Sequence, residues 1–151
     1  MKLEIFTDGG CSGNPGPAAI GVVIKEGNTT IKTIARGIGQ GTNNIAEYTA
    51  LIVALQEALI LKADEISVKA DSELMVKQVM GAYAVKHENI KPLFDQVKHL
   101  VTGFKSFQIM HVRREQNAQA DALVRSVLKK AGHDDRSDAN GVGEESPSSK
   151  G

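Results

Sequence analysis

The sequence predicts an α/β fold in which a mixed sheet carries helices on its faces. Three segments with the periodicity or composition of β-strands come first in the chain. From residue 43 onward, helical patterns alternate with short strand patterns. Strands followed by alternating helices and strands are typical of a mixed sheet, and ligands gather at the carboxyl ends of its parallel strands. We therefore expect the element order βββαβααβα, with any functional site at that edge of the sheet.

The first three strands are expected to form an antiparallel meander. Residues 2–8 alternate between two faces, residues 18–25 are a β-branched run, and residues 29–37 alternate again. The tripeptide EGN at 26–28 is a tight hairpin signal. The segment GGCSGNPGP at 9–17 is so rich in Gly and Pro that we predict loop throughout.

The rest of the chain alternates helices with strands. Residues 43–61 place alanines at every fourth position and leucines on the adjacent row, which gives a helix apolar enough to lie against a sheet. The other elements follow from the same periodicities. They are helices over 72–80, 89–101 and 117–130 and strands over 66–70 and 106–112.

Length and composition indicate one domain. The 151 residues, 41% of them hydrophobic, suffice for one buried core. No apolar run approaches the roughly 20 residues that span a bilayer, and the start of the chain lacks the pattern of a signal peptide. The single cysteine, Cys11, forms neither an internal disulfide nor a zinc site. We expect a cytoplasmic protein without membrane contact.

The formal net charge of zero conceals an asymmetry. Of the 18 basic and 18 acidic residues, two bases and five acids lie in residues 132–151, so the preceding part is mildly cationic. That final segment is rich in Gly, Ser and acids and lacks aromatic residues, so burial cannot offset its ordering entropy. We predict a folded domain over 1–131 and a disordered acidic tail over 132–151. The tail is either a solubilising appendage or an interaction segment that competes for a basic groove.

Four acidic residues lie at ends of predicted strands or starts of predicted helices. They are Asp8, Glu47, Asp71 and Asp121. Carboxylates at hydrogen-bonding distance raise one another's pKa, so four that converge require a cation. Oxygen ligands suit Mg²⁺ or Mn²⁺, and two such ions about 3.5 to 4 Å apart are the usual machinery of phosphodiester hydrolysis.

Each of these acids also has a local structural interpretation. Asp8 fits a turn before the Gly-rich segment. Asn44 and Glu47 approximate a capping box, and Asn43 or Asn44 can cap the same helix. Asp71 can cap the next helix, and Asp121 can favour a helix start through the helix dipole. None of these local roles explains why the acids occur together.

The acids belong to four motifs that occur in order between about residues 2 and 130. The motifs are TDGGCSGNPGP at 7–17, Thr42-Asn43-Asn44 followed by Glu47, Asp71-Ser72, and Asn117 followed by Ala120-Asp121. Taken together, they resemble ribonuclease H of type 1. Any one motif is weak, but the ordered set is specific.

The resemblance implies a three-layer fold with a five-stranded mixed sheet, three antiparallel strands followed by two parallel ones. It implies an endonuclease that cleaves the RNA strand of RNA/DNA hybrids and leaves 5'-phosphate and 3'-hydroxyl ends. It also implies two Mg²⁺ ions, with Mn²⁺ as a possible substitute, held by the four acids with Asp8 bridging. The expected partner is the hybrid, bound by a monomer without an obligatory protein partner.

The resemblance further assigns contacts with the nucleic acid. These residues are Cys11, Ser12, Gly13, Asn14, Asn43, Asn44 and Asn117. For Cys11, a small buried hydrophobe is the alternative interpretation. The 2'-hydroxyl must decide the choice of strand, because that group distinguishes RNA from DNA.

The chain departs from the best-known bacterial form in two segments. The connection at 113–116 is short and lacks the histidine of that form, so Arg113 or Arg114 is expected to contact phosphate or to assist product release instead. The segment 81–88 lacks the tryptophan and basic protrusion that grip the DNA strand in some relatives. Two rival functions remain open: a binding module without chemistry, and a nuclease acting on another duplex.

Overall fold

The computed structural model describes the backbone of residues 1–139 and the side chains of residues 1–130. The elements follow the predicted order βββαβααβα. The strands are β1 Lys2–Cys11, β2 Gly16–Glu26, β3 Thr29–Gly41, β4 Glu65–Ala70 and β5 Ser106–His111. The helices are α1 Asn43–Ile60, α2 Glu73–Val79, α3 Lys91–Val101 and α4 Ala118–Ala139, with a 3₁₀ turn at Arg114–Asn117.

The five strands form one sheet in the order β3-β2-β1-β4-β5. β1 pairs antiparallel with β2, and β2 pairs antiparallel with β3. β1 also pairs parallel with β4, which pairs parallel with β5. The predicted fold class is therefore confirmed. Because β1 and β4 run in the same direction, the residues that end them meet at one edge of the sheet.

Helices cover both faces of this sheet. α1 packs on β1 and β2 with α3 beside it, whereas α4 packs on β1, β2 and β3 from the other face. The alanine row of α1 is fully buried, which brings this helix close to the sheet. Leu3 and Ile5 of β1 pack with Leu51 and Leu55 of α1 in the main core. No helix in the described part of the chain is long and apolar enough to cross a membrane.

The Gly-rich segment 9–17 is not loop throughout, as the sequence suggested. Gly9, Gly10 and Cys11 extend β1 and pair with Ile20, Ala19 and Ala18 of β2, which itself begins at Gly16. Glycine inside a strand marks a close approach of another backbone, and such an approach occurs at Gly9. Local composition therefore predicted loop where tertiary packing stabilises strand.

The last helix extends beyond its predicted end. α4 continues to Ala139, so the predicted boundary between residues 131 and 132 falls inside a helix. Adding residues to an existing helix is far easier than starting one, which explains how a polar segment continues it. The rest of the predicted acidic tail, 140–151, lies outside the described residues, and its disorder stays a prediction.

Candidate active site

Three carboxylates meet at the edge of the sheet where the parallel pairing of β1 with β4 ends. Asp8 lies in β1, Glu47 in the second turn of α1, and Asp71 directly after β4. Their ligand oxygen atoms all lie within 4.8 Å of one another. Asp8 is only 6% exposed and Glu47 only 9%. The sequence prediction that acids at element ends converge is therefore realised for these three residues.

The fourth acid, Asp121, approaches from the opposite face of the sheet. It lies in the first turn of α4. All four acids line one open cleft of ≈ 390 Å³, called the acidic cleft below. The charge of Asp121 acts on Asp8 and raises the pKa of that carboxyl. Asp8 thus interacts with Asp71 and with Asp121, which places it at the centre of the quartet.

The N-caps of α1 and α2 are hydroxyl side chains rather than acids of the site. Thr42 caps α1, because its hydroxyl accepts from the Ile45 backbone N–H at 3.2 Å. Ser72 caps α2, accepting from the Met75 N–H at 3.3 Å. The alternatives in which Asn43, Asn44 or Asp71 is the cap are therefore wrong.

Two glycines let the helices that carry Glu47 and Asp121 approach the sheet. A Cβ added at Gly9 would lie 2.3 Å from the Ala46 carbonyl carbon and 2.5 Å from the Glu47 nitrogen. A Cβ added at Gly21, the cross-strand partner of Asp8, would lie 2.4 Å from the Ala120 carbonyl oxygen. Each glycine therefore sets the distance between an acid of the site and Asp8.

Gly9→Ala is expected to destabilise the protein by about 2–3 kcal/mol, because the methyl group must displace the backbone of α1. Gly10→Ala is the matched control, since its added Cβ meets only the Val124 Cγ1 at 3.4 Å. Urea unfolding of both variants measures the difference. Equal stability of the two variants would contradict a close approach at Gly9.

The electrostatics of the site disfavour four negative charges. Burial, then the charges of Asp71 and Asp121, raise the pKa of Asp8 to about 8. Burial, then the charges of Asp8 and Asp71, raise the pKa of Glu47 well above its ordinary value. The cluster is therefore costly without a cation.

The oxygen atoms of the cluster fit a hard divalent cation. Glu47 Oε1 and Asp71 Oδ2 are buried and have no hydrogen-bond partner among the described residues. Buried acceptors of this kind require a partner, and Mg²⁺ and Mn²⁺ prefer carboxylate oxygen. The donor set and its unsatisfied atoms therefore support divalent metal binding by these residues.

Two guanidinium groups border the carboxylates. Arg114 Nε lies 3.7 Å from Asp71 Oδ2, and Arg125 Nε lies 3.0 Å from Asp121 Oδ2. Both side chains line the acidic cleft. Arg125 was missed by the sequence analysis, although its position four residues after Asp121 on a helix was a usable signal.

The predicted substrate contacts divide between two clefts. Cys11, Asn43 and Asn44 line the acidic cleft. Asn14 lines a second cleft of ≈ 380 Å³, which Asn43 and Asn44 also border. The pair Asn43-Asn44, called the amide ridge below, therefore stands between the two clefts.

The remaining predicted contacts are less well placed. Ser12 and Gly13 are exposed but line neither cleft. Arg113 is 75% exposed, faces Glu115 at 3.9 Å and does not line the acidic cleft, unlike Arg114. His87 and Asn89 also line the second cleft.

Asn117 is buried between β1 and the start of α4. It is 1% exposed and donates from Nδ2 to the Thr7 carbonyl oxygen at 2.9 Å. This bond joins the residue before Asp8 to the turn that precedes α4. Asn117 is therefore a structural link between the elements that carry Asp8 and Asp121, and its expected contact with the substrate stays a prediction.

Comparisons with known proteins bear on the family. A family profile described as "Reverse transcriptase-like" matches residues 6–127. A bifunctional protein of Mycobacterium tuberculosis is 38% identical over 156 residues, which cover 100% of this chain but only 43% of that protein. The chain thus spans less than half the length of this curated relative.

Solved structures give the same result. The crystal structure of RNase H1 from the halophilic archaeon Halobacterium salinarum has a TM-score of 0.83 and 38% identity, covering 85% of this chain and 98% of that one. LC11-RNase H1, solved in complex with an RNA/DNA hybrid, has a TM-score of 0.80 and 42% identity, with 85% and 98% covered. Together with the profile match, this likeness over nearly the full length of both enzymes shows that the chain belongs to the ribonuclease H family.

Proposed function

We propose that this chain is an endonuclease that hydrolyses the RNA strand of RNA/DNA hybrids. The observation that carries the proposal is the buried cluster of Asp8, Glu47 and Asp71, with acceptor oxygens left open toward a cleft. A pure binding module gains nothing from a carboxylate cluster that repels phosphate and raises its own pKa values. The hybrid bound to LC11-RNase H1 supports the choice of substrate.

The two clefts suit the two strands of a hybrid. The acidic cleft holds the reacting groups, so the scissile strand must lie there. The second cleft is lined by amides and His87 rather than by carboxylates, so it suits the strand that is not cut. The amide ridge between the clefts then faces the groove that separates the strands. Selection of RNA requires recognition of the 2'-hydroxyl in the acidic cleft.

The four acids and the helices that carry them have separate roles in the proposed hydrolysis. Asp8, Glu47, Asp71 and Asp121 would hold the divalent ions, for which we propose Mg²⁺, with Mn²⁺ as a substitute. When bound, such ions supply activation of water and stabilisation of the departing oxygen. The packing of α1 and α4 against β1 fixes the carboxylates in advance, so little reorganisation is needed during the reaction. Departure of the 3' oxygen leaves 3'-hydroxyl and 5'-phosphate ends.

Arg114 is proposed as a contact to the phosphate of the RNA strand. It is 78% exposed, lines the acidic cleft and lies 3.7 Å from Asp71 without a short ion pair, so it is free to move to a substrate. A guanidinium suits the planar recognition of phosphate oxygens.

Arg114→Ala is expected to lower kcat/KM on hybrid about 10-fold, the size of a lost charge-assisted hydrogen bond. Arg113→Ala removes the same charge from the neighbouring position and is expected to have a smaller effect. Steady-state cleavage of a labelled hybrid compares the two variants. A larger effect of Arg113→Ala would contradict the assignment.

The proposed function is tested with four end-labelled duplexes: RNA/DNA, RNA/RNA, DNA/DNA, and DNA with one ribonucleotide. Each is incubated with Mg²⁺, with Mn²⁺ and with chelator. Cleavage confined to the RNA strand of the hybrid and dependent on metal is the expected result. Hybrid binding without cleavage would favour the binding-module alternative, and preferential cleavage of another duplex would favour a different nuclease. The cytoplasmic location and the monomeric state stay predictions.

A further inference from the structure

A buried hydrogen bond joins the helix that carries Glu47 to the helix that follows Asp71. The Tyr48 hydroxyl donates to Gln78 Oε1 at 2.7 Å, and the two residues are only 1% and 9% exposed. Tyr48 comes directly after Glu47 in α1, whereas Gln78 lies in the last turn of α2. Tyr48 and Gln78, called the buried pair below, belong to none of the four motifs of the sequence.

Gln78 extends this connection to the segment between α2 and α3. Its Nε2 donates to the Ala84 carbonyl oxygen at 3.4 Å. Within residues 1–130, this is the only hydrogen bond that residues 84–86 make, and Val85 is the one member of that run that packs against the main core. The side chain of Gln78 is therefore one of the few contacts that hold this segment in place.

One wall of the second cleft is the start of α1. Asn44 and Ile45 line the cleft there, and Tyr48 follows them by four and three positions in the same helix. Residues at these spacings are neighbours on one side of a helix. Tyr48 therefore lies next to this wall, on its buried side.

The opposite wall includes His87 and Asn89. It is held from one side by α3, because the His87 carbonyl oxygen accepts from the Lys91 backbone N–H at 3.0 Å. It is held from the other side by Gln78, whose partner Ala84 lies three residues before His87. The buried pair thus connects the two walls, and the distance between them depends on it.

We propose that Tyr48 and Gln78 are positioning residues that set the width of the second cleft for the strand that is not cut. The inference rests on the proposed function, which assigns that strand to this cleft. Both side chains are buried, so they act through the walls rather than by touching the substrate. The acids have supports of their own, among them the close approach of α1 at Gly9, so loss of the pair affects binding more than chemistry.

The first test separates positioning from stability. Tyr48→Phe combined with Gln78→Met removes both polar partners, so no buried polar group is left unpaired and the midpoint of urea unfolding is expected to stay close to that of the parent. The bond to Ala84 is lost all the same, so KM for hybrid is expected to rise about 5-fold with kcat within about 2-fold. A KM at the parent level, or a fall in kcat as large as the rise in KM, would overturn the inference.

A second variant displaces the segment without touching the buried pair. Gly81 begins the segment with a φ of 88°, which disfavours any residue with a Cβ. Gly27→Ala is the matched control, because Gly27 has a φ of 62° and open space around it, as Gly81 does, but borders neither the acidic nor the second cleft. Gly81→Ala is expected to raise KM about 3-fold while Gly27→Ala leaves it unchanged. Equal KM values for the two variants would contradict a role of this segment.

Methylphosphonate linkages, which lack the negative charge of phosphate, identify the strand concerned. Two hybrids carry them, one in the DNA strand and one in the RNA strand, and equilibrium binding in chelator is measured by fluorescence anisotropy. The parent is expected to lose about 5-fold in affinity for the hybrid modified in its DNA strand, and the double variant about 2-fold or less, since its contact with that strand is already weakened. Modification of the RNA strand should affect both proteins equally.

Equal losses by the two proteins on the DNA-modified hybrid would refute the positioning role. That result, combined with normal cleavage of unmodified hybrid by the parent, leaves the proposed function intact. A parent that neither binds nor cleaves hybrid would overturn both.

Discussion

Asp8→Asn is expected to reduce hydrolysis of the hybrid by at least about 10³-fold while affinity for the hybrid stays within about 3-fold. Asp8 is the carboxylate that interacts with both Asp71 and Asp121, so its loss affects every part of the quartet. The amide keeps the size and shape of the side chain but removes its charge. Cleavage rates with saturating protein, measured beside equilibrium binding, separate chemistry from affinity.

Asp64→Asn is the matched control for this variant. Asp64 is 51% exposed and pairs with the N-terminal ammonium at 2.7 Å, and it lines neither cleft. The same chemical change there is expected to leave cleavage at the parent level. An Asp8→Asn protein that keeps a tenth of the parent rate would refute the assignment. Parallel loss of binding and cleavage would indicate damage to the fold.

The sequence was informative about this site because the features that position Asp8 and Asp71 are local. Alternation along β1 and β4 predicts two strands, and their parallel pairing runs as far as Thr7 and Ala70, so that Asp8 and Asp71 directly follow its last pair. The alanines at every fourth position of α1 likewise identified the buried face of this helix, and the packing of that face places Glu47 beside β1. Each of these patterns spans fewer than 20 residues, so it can be recognised in the sequence without knowledge of the fold.

The features that the sequence did not reveal depend on contacts between distant segments. Asn117 belongs to a motif that suggested substrate contact, yet its amide donates a hydrogen bond to the carbonyl oxygen of Thr7, which lies 110 residues earlier in the chain. Segment 9–17 reads as loop because glycine is usually a loop residue, and only the approach of α1 explains Gly9 in a strand. Thr42 competes with two asparagines of similar capping preference, so the choice of cap required the backbone geometry.

The same buried carboxylates are expected to make the metal-free protein less stable as pH rises. In the unfolded chain Asp8 ionises near its ordinary pKa of 3.8, whereas in the folded chain burial and the neighbouring acids raise its pKa to about 8. Between these values the folded state binds more protons than the unfolded state. Because stability falls with pH wherever the folded state binds more protons, the free energy of unfolding decreases from about pH 4 to about pH 8.

Urea unfolding in chelator at pH 5, 6, 7 and 8 measures this dependence. We expect the parent to lose on the order of 3 kcal/mol over that range. Asp8→Asn lacks the charge that is disfavoured, so its curve should be flatter and its stability at pH 8 higher than that of the parent.

The control is again Asp64→Asn. The N-terminal ammonium lowers the pKa of Asp64, so its contribution is lost only as pH falls below its ordinary value, outside the range measured. This variant should therefore keep the slope of the parent. Added Mg²⁺ should restore stability to the parent at pH 8 but much less to Asp8→Asn, because a ligand stabilises only the state that binds it. Parallel curves for the parent and Asp8→Asn would show that burial and the neighbouring acids do not disfavour the charge of Asp8, which would remove the physical reason for a cation at this edge of the sheet.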